Sequence, residues 1–163
     1  MKLELKIVDI EKEADDNVII GQANFSVFTV DDMYASLIKS VPGIQVGVAM
    51  NEAQPQMVRV NANDERLQDL ASKNALKIGA SHVFVIFIKQ AFPINVLNSI
   101  KATAGVCNIF VATGNPVQII VYQTDLGRAV LGAVDGTSVN KIEKSDDKKQ
   151  RRDLVSKLGY SIP

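Results

Sequence analysis

Hydrophobic and polar residues alternate through the first stretch, "KLELKIV". Leu3, Leu5 and Ile7 fall on one face and Lys2, Glu4 and Lys6 on the other. A period of two predicts a half-exposed strand. "NVIIGQANFSVF", from Asn17, is a second strand region, in which Gly21 marks a bulge or a place of close backbone approach. From Thr29 the period lengthens to that of a helix. Val30, Met33, Leu37 and Val41 recur on one face, Thr29 caps with Asp32 three residues on, and Pro42-Gly43 stops the helix.

The same alternation of periods continues. "IQVGVAM" and "QMVRVN" read as two strands separated by Asn51 to Pro55. Asn63 is the expected N-cap of the next helix, with Asp64 and Glu65 in its dipole-favoured first turn. Leu67, Leu70, Ala71 and Ile78 form its buried stripe, and Gly79 fits the position just past its end. "HVFVIFIK" is apolar on both faces, which places it in the middle of a sheet covered on both sides. Pro93 suits the first turn of a third helix. "VCNIFVAT" and "VQIIVYQT" flank Gly114-Asn115-Pro116, and "GRAVLGAVDG" is the last strand, ending in the turn pair Asp135-Gly136. Ser145 is the expected cap of a final amphipathic helix ending near Gly159.

The order is therefore ββα, ββα, βα, βββα, with no repeat and no linker long enough to split the chain. Strands follow strands as often as they follow helices. The expected fold is α+β: one domain over residues 1–163, a mixed sheet covered by about four helices.

Composition narrows the partners. At 47% apolar and 22% charged residues the chain has the balance of a globular protein. Lysine plus arginine equals aspartate plus glutamate at 18 each, so there is no basic excess to recruit a nucleic acid. The basic run Lys148-Lys149-Gln150-Arg151-Arg152, set between Asp146-Asp147 and Asp153, reads as a solvated helix face. Cys107 is the single cysteine, which excludes an intrachain disulfide and a cysteine metal cage; within "GVCNIFVAT" it reads as a buried structural thiol. No apolar run approaches the roughly 18 residues of a membrane helix. The N-terminus lacks a signal peptide's apolar core, so the reading is cytoplasmic with no membrane partner.

Standard catalytic signatures are absent. Gly127 and Gly132 have the glycine spacing of a phosphate-binding loop, but Ala133 and Val134 stand where lysine and a hydroxyl are required. There is no dinucleotide fingerprint and no nucleophile elbow, and one histidine with one cysteine offers no zinc site. What remains is a set of polar residues at the ends of apolar elements: Glu52, Asn63, His82, Asn95, Asn115, Arg128 and Asp135. Each has an ordinary reading: Asn63 as a cap, Asp135 as a turn former, Asn115 as a pre-proline loop residue, Glu52 as a loop acid and His82 as scaffold. Together they resemble the parts of a nucleoside site, which needs an apolar slot, acceptors for ribose and donors for phosphate. The helix start at "FPINVL" offers backbone N–H groups of Ile94, Asn95 and Val96 to an anion. His82 is the sole imidazole able to accept a phosphoryl group, and Arg128 has the fork to hold one.

The stretches "NVIIGQANF", "SVPGIQVGVAMNEA", "KNALKIGASHVFVIFIKQAFPINVLNSIK", "VCNIFVATGNPVQIIV" and "GRAVLGAVDG" resemble the adenosine-specific kinase family over nearly the whole chain. The resemblance implies a compact domain that assembles into a homo-oligomer of three subunits, takes adenosine or AMP as ligand, and carries phosphate on the histidine of "GASH", here His82. It maps further family blocks onto Glu52, Asn95, Asn115-Pro116 and Arg128. The family pattern has glycine where Ser81 stands and alanine where Gly114 stands. It often has a histidine in place of Asn24, which excludes Asn24 as a phosphate carrier here.

Two functions follow from that likeness. One is phosphotransfer to adenosine through His82, with Arg128 and the helix start at Ile94 and Asn95 on the phosphoryl oxygens and an acid, Glu52 or Asp135, orienting the ribose. The other is a non-catalytic sensor of adenosine or AMP. No metal ligand and no resident cofactor is identified, and the sequence names neither a metal requirement nor a phosphate donor.

Overall fold

The computed structural model describes residues 4–160. Twelve elements follow in the expected order: β1 (Glu4–Asp9), β2 (Asn17–Ala23), α1 (Val30–Ser40), β3 (Gln45–Asn51), β4 (Val58–Ala62), α2 (Glu65–Ile78), β5 (Val83–Lys89), α3 (Pro93–Lys101), β6 (Val106–Thr113), β7 (Val117–Gln123), β8 (Arg128–Asp135) and α4 (Ser145–Lys157). The class is α+β with four helices, as the periodicity implies. The strands divide between two sheets, β4-β3-β5-β2-β6 and β1-β7-β8, where one mixed sheet was expected. Every pairing is antiparallel.

β5 is the middle strand of the larger sheet, and its six residues Val83 to Ile88 are all buried. Phe84, Ile86 and Ile88 meet α1 and α3 through Met33, Leu37, Val96 and Ile100. Val83, Val85 and Phe87 meet α2 and the three-stranded sheet through Leu67, Ala75, Ile119 and Val121. The molecule is thus three layers deep, with the larger sheet between them. Gly47 in β3 lets α2 lie close: a Cβ there would collide with the Leu67 backbone. Gly21 serves both expected purposes, since the β2–β6 register shifts beside it and a Cβ would strike the Asn108 carbonyl and the Phe84 ring.

The helix ends follow the sequence signals with two corrections. Asp32 accepts from the Thr29 N–H and hydroxyl at 2.8 Å, and Gly79 ends α2 in the left-handed region at φ 62°. Asp64, not Asn63, caps α2, accepting from Leu67 N–H at 2.9 Å. Asn63 instead accepts from Val46 N–H and donates to the Ile44 carbonyl, tying β4 to the start of β3. α4 is capped by Lys144, with Ser145 as its first helical residue, and buries no residue at all. Its basic run is the expected solvated face.

Two burial expectations are overturned. Leu5 and Ile7 are 60% and 62% exposed, because in the β1–β7 register they share the outer face with Tyr122 and Ile120. Val8 and Ile10 pack on the core instead. Leu3 and Lys2 lie outside the described residues. Cys107 is exposed, not a buried thiol, since β6 is the edge of its sheet. Among the described residues no helix is long and apolar enough to cross a membrane.

The loop before β2 is pinned by a buried charge. Asp16 is fully buried and accepts both Arg66 guanidinium nitrogens, at 2.9 and 2.7 Å, and the Glu13 N–H at 3.0 Å. Burial pushes its carboxyl up, but the Arg66 hydrogen bonds and the Glu13 N–H outweigh that and hold it below the ordinary aspartate range. A depressed folded-state value means this contribution is complete above the unfolded aspartate pKa of about 3.9 and is lost as pH falls through the folded value. Arg66→Met leaves the carboxylate buried with the Glu13 N–H and, as its only close cation, Lys89 at 4.0 Å. We expect it to cost about 3 kcal/mol at neutral pH and to shrink the loss of stability below about pH 4, read by urea unfolding at a series of pH values.

Candidate functional site

The sequence-selected residues gather at opposite ends of the larger sheet. Met50 pairs with Phe84 and Gln45 with Lys89, so the end of β3 and the start of β5 share one end. At about 3.3 Å per residue, the seven residues of β5 separate the two ends by roughly 20 Å.

His82 lies at the first end, immediately before β5. Its N–H donates to the Asn51 carbonyl at 2.8 Å, and its own carbonyl accepts from Ala23 N–H at 2.9 Å. Its φ of +62° is a left-handed conformation uncommon outside glycine, though asparagine, aspartate and histidine enter it more often than other residues; Gln56 and Gln90 share it here. The half-buried imidazole meets the Phe25 ring edge-on, centroids 6.2 Å apart. Phe25 belongs to the core on the α1 and α3 side of the sheet.

Glu52 and Arg128 come together beside it. Glu52 follows Asn51, its N–H donating to the Met57 carbonyl and its carboxylate accepting from Arg59 Nε at 2.8 Å. Arg128 donates from Nε to Gln123 at 2.9 Å and from Nη1 to the carbonyls of Lys77 and Ile78 at 3.0 and 3.2 Å. A cation therefore closes the C-terminus of α2, where the helix dipole favours it. Among the described residues Arg128 has no carboxylate partner. Both side chains line a cavity of about 280 Å³ with Asn51, Met57, Leu76 and Ser81, while His82 stays outside its wall.

Ile94, Asn95, Asn115 and Asp135 sit at the second end. Asn95 accepts from Phe92 N–H at 2.8 Å and donates to the Tyr160 hydroxyl at 2.9 Å. Its own N–H is taken by the Phe92 carbonyl, and Pro93 has none, so the helix start offers fewer free donors than the sequence implies. Ile94 is 66% exposed. Asn115, in the loop between β6 and β7, donates to Asp135 at the end of β8 at 3.0 Å. Asn63 belongs to this end too, through its bonds at Ile44 and Val46. α3 runs back toward the histidine: Gly105, just past its C-terminus, accepts from Asn24 N–H. Within one chain, the helix start lies far from His82.

A cavity of about 910 Å³ opens at that second end, with Asn17, Lys89, Phe92 and Tyr160 in its wall. The carboxylates of Glu13, Asp15 and Asp16 converge within 4.8 Å there, but Arg66 and Lys89 already pair with them. Lys89 at 2.9 Å holds the Asp15 carboxyl below its usual range. Sequence reasoning passed over Asn51, Arg59, Lys89, Phe92 and Tyr160. Asn51 alone carried a signal, as the single polar letter closing the apolar run before Glu52.

Arg128→Ala should remove the donor from two carbonyls at the end of α2 and lower stability by about 2 kcal/mol in urea unfolding. Asn63→Ala, which frees the Val46 N–H and the Ile44 carbonyl, should cost about 1–2 kcal/mol. A smaller loss at either position would show that water replaces the missing side chain.

Comparison with known proteins adds the family. No curated protein matches the chain. Among solved structures, the PH1918 protein from Pyrococcus horikoshii OT3 is 56% identical and superposes with a TM-score of 0.94, covering 99% of this chain and 100% of that one. The family model described as adenosine specific kinase matches residues 8–161. The chain belongs to the adenosine specific kinase family.

Proposed function

We propose that this chain binds adenosine and AMP, and passes a phosphoryl group through His82, as a cytoplasmic homo-oligomer. The observation that carries the reading is the backbone of His82. A left-handed residue other than glycine costs about 1–3 kcal/mol and persists only where its surroundings over-determine it. Here two main-chain hydrogen bonds and the Phe25 edge fix the chain's sole imidazole in that state. Such fixed, strained residues cluster at functional sites.

In the proposed reaction an imidazole nitrogen attacks the phosphorus of a phosphoanhydride, whose leaving oxygen departs with the bonding pair. The phosphoryl group then moves to a ribose hydroxyl; the P–N bond breaks, its pair returns to the ring nitrogen, and the hydroxyl proton passes to Glu52. Arg128 and Arg59, at the same end of the larger sheet as His82, would be the cations to offset charge on the phosphoryl oxygens. Asn95, Asn115 and Asp135, roughly 20 Å away, do not act on the same phosphate within one chain.

A second reading, a sensor of adenosine or AMP without chemistry, draws on a separate observation. The sequence has no phosphate-cradling loop, and the α3 N-terminus faces away from His82.

His82→Asn separates the two. Asparagine tolerates the left-handed region, so the variant should keep its fold. Phosphohistidine is acid-labile and alkali-stable, because protonating the ring makes imidazole a good leaving group. Intact-mass analysis at neutral or alkaline pH should show one added phosphate on the wild type, lost in acid and absent from His82→Asn. No phosphate under any handling, with AMP binding unchanged in the variant, would leave the sensor reading standing.

A further inference from the structure

β6 closes one side of the larger sheet, so one row of its backbone groups has no neighbouring strand. Edge strands are commonly blunted by charged residues or proline. β6, Val106–Thr113, contains neither, whereas the other edges, β1, β4 and β8, each carry charge. Its residues Val106 to Ala112 also form the floor of a groove of about 580 Å³. Leu97 and Lys101 of α3 make one wall, and Ala133 and Asp135 of β8 the other.

The segment after β8 has the converse deficit. From Thr137 to Glu143 no backbone group bonds to another. Val139 is 96% exposed and Ile142 90%, so this arm does not lie in its own groove. α4 follows and buries no residue, and an isolated helix of 13 residues is marginal in water. Its far end is tied elsewhere: Leu158 and Tyr160 stand in the wall of the cavity at the second end, and Tyr160 accepts from Asn95. Packing within one chain therefore does not account for the arm.

We infer that residues 137–143 of one copy add as a strand to the free edge of β6 in a second copy. Seven residues meet a strand of eight, and each supplies the backbone partners that the other lacks. Thr137, Val139 and Ile142 are β-branched, as strands favour. Charge sets the direction. β6 runs from the His82 end of the sheet toward the Asn115 end; Asp135 stands at the latter, and Lys101, closing α3, lies toward the former. Neither has an ion-pair partner among the described residues. An antiparallel arm turns Lys141 toward Asp135 and Glu143 toward Lys101, whereas a parallel one sets like charges together. The pairs these two make within the arm, with Asp147 and Arg151, are exposed and contribute little. Each copy gives one arm and receives one, so the contact is head-to-tail and forms a ring where the rotation closes. The inference rests on the homo-oligomer reading and goes further, because it names both surfaces.

Cys107, exposed in the groove and the sole cysteine, serves as the probe. With Ile142→Cys added to the full chain, a short bismaleimide should join separate chains, read by intact mass after denaturation. The wild type should remain as single chains under the same treatment. No link, a link confined to one chain, or a link between two wild-type Cys107 side chains overturns the arm. Light scattering supplies an independent reading. The pair Val139→Asp with Ile142→Asp, and separately Cys107→Lys, should each reduce the particle to one chain, since a charge blunts a strand edge. An oligomer whose mass none of these changes overturns the arm while leaving the homo-oligomer standing. A wild type that is monomeric at micromolar concentration overturns both.

Discussion

A strand buried on both faces has to be covered on both faces, and β5 imposes that condition on everything around it. Its side chains from Val83 to Ile88 point alternately into two separate cores, and none is accessible. Full burial of a large apolar side chain contributes about 1.5–3 kcal/mol, so β5 with Phe84, Phe87, Ile86 and Ile88 is the largest concentration of that term in the chain. Strands β3 and β2 must then flank it, α1 and α3 must close one side, and α2 with the smaller sheet the other. With the flanks taken, only the two ends of β5 remain for polar chemistry. All the candidate residues sit there.

Apolar layers this complete leave few places for polar groups, and those present are tied down. Asn74, fully buried, accepts from Glu11 N–H and donates to the Glu11 and Leu70 carbonyls. Asp16 is matched by Arg66. Against that background the Asn51 oxygen, unpaired among the described residues, is an exception, and exceptions of this kind need a reason.

The fold was legible because each element carried its own period and its own stop signal. Gly79, Pro93 and Thr29 with Asp32 act locally, within one turn, so sequence reading located the starts of α1 and α3 and the end of α2 to within a residue. The failures share a different cause. Leu5 and Ile7 look core-facing by alternation, yet which face of β1 is buried depends on its register with β7, more than a hundred residues away in sequence. Cys107 looks buried within an apolar run, but β6 is an edge strand, and strand order is not written in local period. Asn63 and Asp64 are adjacent capping residues, and the choice fell to Asp64 because Asn63 was claimed by Val46 and Ile44 in another strand. The candidate residues divide between two ends of one chain for a related reason: α3 starts from the far end of β5 and only its C-terminus returns toward His82, a fact of topology rather than of residue type.

What the topology does assemble is a junction of three segments on Asn51. Its carbonyl receives the His82 N–H, its amide holds the carbonyls of Ala75 and Ala80, and Arg128 holds those of Lys77 and Ile78 one turn away. The end of α2, the entry to β5 and the start of β8 are therefore fixed to one another by directional bonds rather than by packing alone. A residue in a sparsely populated conformation stays there only if its neighbours cannot relax, and this network removes that freedom from His82. The same network holds Asn51 Oδ1 in place with no internal donor. The strained imidazole and the unpaired acceptor thus have one structural origin. Substitutions at Asn51 therefore act on both.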